Sequence, residues 1–197
     1  YYLQAWHERW FRRLAPGRGV RIENVTDQWM GFSVSGPASR GILAALARDD
    51  VSDEALPFMA VRTMDVGAAR AVVGRLSLTG ELGYEIVVPA DRHRSLLREL
   101  REAGASSGLR LIGDRAIDSL RLEKAYGIWN AEFTQARTPG MSGLDRFVAF
   151  DKGEFIGREA ALRERDTGGA GQRLVLTYVA DGLTRSGQSA TTASAWA

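Results

Sequence analysis

Arg75-Leu76-Ser77-Leu78-Thr79-Gly80-Glu81-Leu82-Gly83-Tyr84-Glu85-Ile86-Val87-Val88 sets a tight, glycine-punctuated turn between two apolar runs. Tyr84–Val88 alternates as a strand, and Pro89 closes it. Upstream, Met59–Val66 and Ala69–Leu78 read as two more strands with Gly67 at their turn. Turns this short join antiparallel neighbours, whereas parallel strands need a long crossover. Strand-like stretches also stand at Val20–Val25 and Trp29–Ser35.

Helical patterns flank these strands. Leu3, Trp6, Trp10 and Leu14 recur at helical spacing up to the Pro16-Gly17 break. Pro37 suits the first turn of a helix whose Ile42, Leu43 and Leu46 face inward. Arg48–Glu54 is an acidic loop. The spacing predicts a helix over Asp91–Ala103 that buries Leu96, Leu97 and Leu100. Another begins at Asp114, with Ile117, Leu120 and Lys124 on one side and Arg121 beside them, and a short one runs through Leu162. Without a strict βαβ rhythm, the expected class is α+β, mainly antiparallel sheets with packed helices. Residues 1–166 form the expected body. Residues 167–180 read as a glycine-rich linker and one strand, Arg173–Val179, of a further unit. The Ser/Thr/Ala-rich residues 181–197 read as disordered. Because helical spacing is already running at the first residues, the chain reads as the central piece of a longer protein.

Composition narrows the chemistry. The 197 residues are 45% hydrophobic and 25% charged, the balance of an ordinary globular protein. Cysteine is absent and His7 and His93 are the only histidines, which excludes thiolate metal sites, CxxC redox chemistry and histidine metal clusters. Basic residues are scattered and the formal charge is only +2, so nucleic acid is not an expected partner. No apolar run approaches the roughly 20 residues of a membrane span, and no secretory signal opens the chain. A cytoplasmic setting is the expectation. GxGxxG after a strand, GxxxxGK[ST] and GxSxG are all missing despite 22 glycines.

Two clusters hold candidate functional residues. Strand alternation sets Glu85 opposite Tyr84, Ile86 and Val88. If the Tyr84 face is core, Glu85 points to solvent as most strand carboxylates do. If the sheet lines a pocket, it is a carboxylate on a rigid strand, suited to a paired hydrogen bond with an amidine-like N–H edge such as a pterin's. Asp118-Ser119-Leu120-Arg121-Leu122-Glu123-Lys124-Ala125-Tyr126 reads as an amphipathic helix, with Asp118, Arg121 and Glu123 making surface or inter-element ion pairs. Tyr126 just past its end, and Trp129 after it, are either core aromatics or the wall of a pocket.

Four blocks of this sequence, in order, resemble the glycine-cleavage aminomethyltransferase (T-protein) superfamily. Ser77–Ile86 is similar to S-[FY]-T-G-E-x-G-Y-E-I, and Asp118–Tyr126 resembles D/N-S-L-R-L-E-x-G. Asp151–Leu162 resembles K-x-D-F-I-G-K/R-E-A-L, and Val25–Gly36 resembles V-T-x-x-W-x-x-x-x-x-x-G. Leu122–Lys124 and the stretch from Gly143 to Val148 are closer to the folate domain of dimethylglycine and sarcosine dehydrogenase-like FAD-dependent oxidoreductases. The resemblance implies a partial aminomethyltransferase-like folate-binding fold over residues 1–166, with residues 167–180 leading into a C-terminal barrel.

It further implies tetrahydrofolate as cofactor, with Glu85 on the pterin ring and Tyr126 as an aromatic near the folate. A small-molecule amine would be the substrate. A flavin domain in the same parent would oxidise its N-methyl group, which folate captures as methylenetetrahydrofolate. No catalytic residue is expected here, because the family's aspartate matches a position before Tyr1. The sequence departs from the pattern at Leu78, where an aromatic is usual, and at Ile117, where the aminomethyltransferases carry arginine. A stand-alone aminomethyltransferase, a folate-dependent demethylase and a non-catalytic folate-binding module are the other readings. The iron–sulfur assembly branch is disfavoured for want of cysteine.

Overall fold

The computed structural model describes residues 2–129 and 131–167. They form an α+β fold with helices α1 (Tyr2–Leu14), α2 (Ser39–Leu46), α3 (His93–Gly104), α4 (Asp114–Glu123) and α5 (Arg158–Asp166). Four strands, β1 (Trp29–Ser35), β2 (Val61–Val66), β3 (Ala69–Gly74) and β4 (Gly83–Pro89), make one antiparallel sheet in the order β1-β4-β3-β2. The strand Arg173–Val179, the linker beyond Thr167 and the tail lie outside the described residues. Two compact units divide the chain. One holds residues 2–77 and 82–110, the other residues 78–81 and those after 110.

The first unit is built on β4, which pairs with β1 on one side and β3 on the other. Its Tyr84, Ile86 and Val88 are fully buried and join Val34, Val73 and Met64 from the other strands. Ile42 and Leu43 of α2 and Leu96 and Leu100 of α3 complete that core, while Leu97 is only half-buried on the flank of α3. Each such side chain contributes about 1.5–3 kcal/mol of hydrophobic stabilisation. Burying Tyr84 also requires a partner for its hydroxyl, and Arg40 Nε donates to it at 3.1 Å. Arg40 forks onto Asp53, which Arg75 also meets. The Arg40 hydrogen bonds, with Arg75 adding to them, hold the Asp53 carboxyl below its ordinary range.

Two expected strands come out differently. Val20–Val25 forms no strand: among the described residues no neighbour pairs with it, and an isolated extended segment has no ladder to satisfy its backbone. It is tied to α1 instead, where Asn24 donates to Glu8 and accepts from Gln4. The strand read as Ala69–Leu78 stops at Gly74, since Arg75 bonds Met59 and Ala60 and the chain then passes over β4. Ser77 packs on Gly83, where its hydroxyl lies 3.1 Å from that of Ser35.

In the second unit Arg121 of α4 pairs with Asp118 on its own helix and with Glu132 beyond it. Arg121 is only 4% exposed. Its guanidinium donates to Asp118 Oδ1 at 2.9 Å, to the Tyr126 carbonyl at 2.9 Å and to Glu132 Oε2 at 3.0 Å. Glu132 in turn accepts the Ile128 N–H at 2.9 Å. Burial disfavours this cation, but the carboxylates of Asp118 and Glu132 outweigh that and raise its pKa above the ordinary guanidinium value. Of the surface and inter-element pairings the sequence left open, Arg121 takes the inter-element one with Glu132, because it follows Ile117 by one helical turn, on the inward side.

Two stability tests follow from these contacts. A Cβ on Gly83 would lie 2.6 Å from Ser77 Cβ and 2.9 Å from Ser35 Oγ. Gly83→Ala should cost about 1–3 kcal/mol in denaturant unfolding. Ser77→Gly added to it should recover part of the loss, and no recovery would place the strain elsewhere. Arg121→Met leaves the half-buried Glu132 without its cation and should cost up to about 3–5 kcal/mol, the range for breaking a buried pair. The double variant Arg121→Met/Glu132→Met should be more stable than Arg121→Met alone. Strict additivity of the two losses would show that the pair is not coupled.

Candidate functional site

Glu85 lies on the face of the sheet opposite the core. The register sets it between Ser33 of β1 and Gly74 of β3, with Val87 between Gly31 and Val72. Side chains that are cross-strand partners share a face, so the direct partners of the carboxylate are small, while Leu76 and Val61 cover the space over Gly74. Glu85 is exposed, and no side chain of its own unit pairs with it among the described residues. The core reading of the Tyr84 face therefore holds, and the carboxylate is nonetheless free to accept two hydrogen bonds from one ligand edge. Its strand is rigid: the start of β4 is held where Leu82 O accepts from Gly36 N at 2.7 Å and from Ser39 Oγ at 3.1 Å.

Tyr126 belongs to the other unit. It follows the end of α4, where Ala125 adopts φ +56° and reverses the chain. The Tyr126 N–H returns to the Arg121 carbonyl at 2.9 Å while its own carbonyl accepts from the Arg121 guanidinium. Its backbone is thus fixed at both polar groups, and its ring is half-buried. Gly127 beyond it lies under the Phe133 ring, 2.5 Å from where a Cβ would stand, and Trp129 is exposed.

The same unit joins the two sequence clusters. Gly80 takes φ +72° and sits against the stem of Lys124, with Lys124 Nζ 3.1 Å from Glu81 Oε1. Thr79 is buried beside this contact, and Leu78 is 43% exposed. The Thr79-Gly80-Glu81 turn thereby locks onto the end of the helix that positions Tyr126. Only the backbone conformation of Gly80 and the lysine stem explain why the turn carries glycine there.

Sequence reasoning missed a groove of about 880 Å³ in the first unit, between α1 and residues 22–31. His7, Phe11, Ile22, Val25 and Trp29 line it, and Glu8 closes one side. Arg12 first, then Asn24, hold the Glu8 carboxyl below its ordinary value. The apolar spacing of α1 was a signal for a packed face, but nothing local marked Asn24 as its tether. Among the described residues no group of three or more His, Asp or Glu side chains could hold a metal ion. No helix among them is long and apolar enough to cross a membrane.

Residues 2–152 match the GCVT N-terminal domain family. Mouse mitochondrial dimethylglycine dehydrogenase is 34% identical over 175 residues, which are 87% of this chain and 20% of that protein. The alpha subunit of sarcosine oxidase from Rhizobium meliloti is 35% identical over 77% of this chain and 15% of its own length. An aminomethyltransferase from Caldanaerobacter subterraneus is 32% identical over 91% of this chain and 48% of its own. The chain thus spans a fifth or less of the first two proteins and about half of the third. The match runs from α1 through both units to the residues before α5, and it shows that the chain belongs to the GCVT N-terminal domain family.

Proposed function

We propose that the chain is part of a tetrahydrofolate-dependent one-carbon transfer enzyme, with residues 1–166 the central portion of its folate-binding domain. The observation that carries this is Glu85, an exposed carboxylate on a rigid strand with only small side chains across from it. The residues fit a pterin: such a ring presents adjacent N–H groups along one edge, and a carboxylate without a competing cation can accept both. Tyr126, with its backbone held by Arg121, is the second cofactor-binding residue of this reading and would supply an aromatic surface.

The parent would be a flavin-linked N-methylglycine dehydrogenase of the dimethylglycine or sarcosine kind. Similarity to a dimethylglycine dehydrogenase and to a sarcosine oxidase subunit supports this. FAD, on a domain in the same parent, would supply the oxidation of a small methylated amine, and folate would take the carbon as methylenetetrahydrofolate. This chain's residues bind and orient the folate. The proton at the folate amine would be handled by an aspartate outside the chain. A cytoplasmic setting goes with this reading, although the mouse relative is named as mitochondrial. A flavin-free aminomethyltransferase is the second reading, favoured by the match to half of such an enzyme.

Titration of tetrahydrofolate against the full-length parent should give an affinity that Glu85→Gln lowers about 10- to 100-fold, the worth of a charged hydrogen bond. Tyr126→Ala should lower it less. Equal affinities for the parent and Glu85→Gln would remove Glu85 from the site.

A further inference from the structure

The sheet has two edges, and they are not alike. On β2 the edge is guarded: Arg62 and Asp65 stand on the strand, and Arg70 Nη2 donates to the Thr63 carbonyl at 3.2 Å. β1 carries neither charge nor proline in its seven residues, Trp29-Met30-Gly31-Phe32-Ser33-Val34-Ser35. Its register with β4, continued by the bond from Gly36 N to Leu82 O, turns the backbone groups of its even-numbered residues toward β4. Those groups alternate along an antiparallel strand, so the N–H and C=O of Gly31 and Ser33 point away from the sheet. They have no hydrogen-bond partner among the described residues. A long, uncharged edge of this kind is a template for another strand.

A space lies along this edge. The groove against α1 is touched by Trp29, Met30 and Gly31. Met30 projects to the face opposite Trp29 and Gly31, and β4 fills the other side of the strand, so a space reached by all three lies at the free edge. Phe11 of α1, Ile22 and Val25 line it as well. Phe11 is 52%, Met30 42% and Trp29 39% exposed, and apolar surface gathered in one place marks an interaction site. From Val20 to Asn24, no backbone group has a hydrogen-bond partner among the described residues either. An occupant that buries these walls must therefore bring N–H and C=O groups of its own.

We propose that the groove between α1 and β1 takes a β-strand from the parent polypeptide outside residues 1–197. The strand pairs with the backbone of Gly31 and Ser33 and packs apolar side chains on Phe11, Ile22 and Trp29. Main-chain pairing gives the attachment, and alternate side chains give the fit. The length of the relatives supplies a source. This chain spans 48% of an aminomethyltransferase, so about half of a parent of that size lies outside it. A strand in the same polypeptide docks at a high effective concentration, which favours it over a separate chain. The inference stands on backbone geometry and does not depend on the reading of Glu85.

Hydrogen exchange of the full-length parent, resolved to single amides, tests the pairing. Phe32 is held by β4 in either case. Gly31 and Ser33 should exchange at least about 100-fold more slowly than the amides of an open edge, and dilution of the protein should not change this. In a second measurement Phe11 of the parent is replaced by the photo-cross-linking residue p-benzoylphenylalanine. Mass spectrometry of the digest should find it joined to a peptide of the same polypeptide, outside residues 1–197, in which apolar residues alternate. Open-edge exchange at Gly31 and Ser33 would overturn the proposal. Protection lost on dilution, or a cross-link between two copies or to another protein, would make the occupant a separate molecule and overturn it too. A cross-link within residues 1–197, or none, would leave the groove without this strand and also refute it.

Discussion

The register of β4 between β1 and β3 is the constraint from which the first unit follows. A strand has two faces, and a shift of one residue would exchange them. As paired, the register sends Tyr84, Ile86 and Val88 into the core and Glu85 and Val87 out of it. Once Tyr84 is fully buried its hydroxyl needs a donor, which draws Arg40 of α2 inward and Asp53 with it. The hydrogen bonds from Gly36 and Ser39 to Leu82 then place the start of α2 against the start of β4. The core and the exposed carboxylate are consequences of one alignment.

The second unit depends on a different device, a buried cation. Removing a guanidinium from water is costly, and Arg121 offsets this only because two carboxylates and a carbonyl meet its donors together. What the arrangement gains is position. Arg121 and Glu132 between them hold the Tyr126 carbonyl and the Ile128 N–H, two backbone groups of a segment that no regular element organises. An apolar side chain at position 121 could fill the space, but it could not determine the path of those residues.

Much of the fold was legible in the sequence because it rests on local signals. The alternation at Tyr84–Val88, the turn at Gly67 and the apolar spacing of α2 and α3 each follow from the period of a single element. The failures share a cause as well. Val20–Val25 has a strand's composition but no partner among the described residues, and pairing is not a property of one segment. For Arg121 the sequence left surface and inter-element pairing open, and what packs on the inward turn of α4 decided between them. Asn24 reads as an ordinary loop residue until α1 is beside it.

The candidate site divides along the same line. The sequence alone determined that Glu85 opposes the Tyr84 face, since a strand's period is two, and its motifs led to the family that residues 2–152 then showed. Tertiary structure alone decided which residues stand beside that carboxylate. Ser33 lies 52 positions and Gly74 11 positions from Glu85 in sequence, and only the pairing of three strands makes them its neighbours. Composition, periodicity and spacing act along the chain, whereas the surroundings of a side chain are made across it.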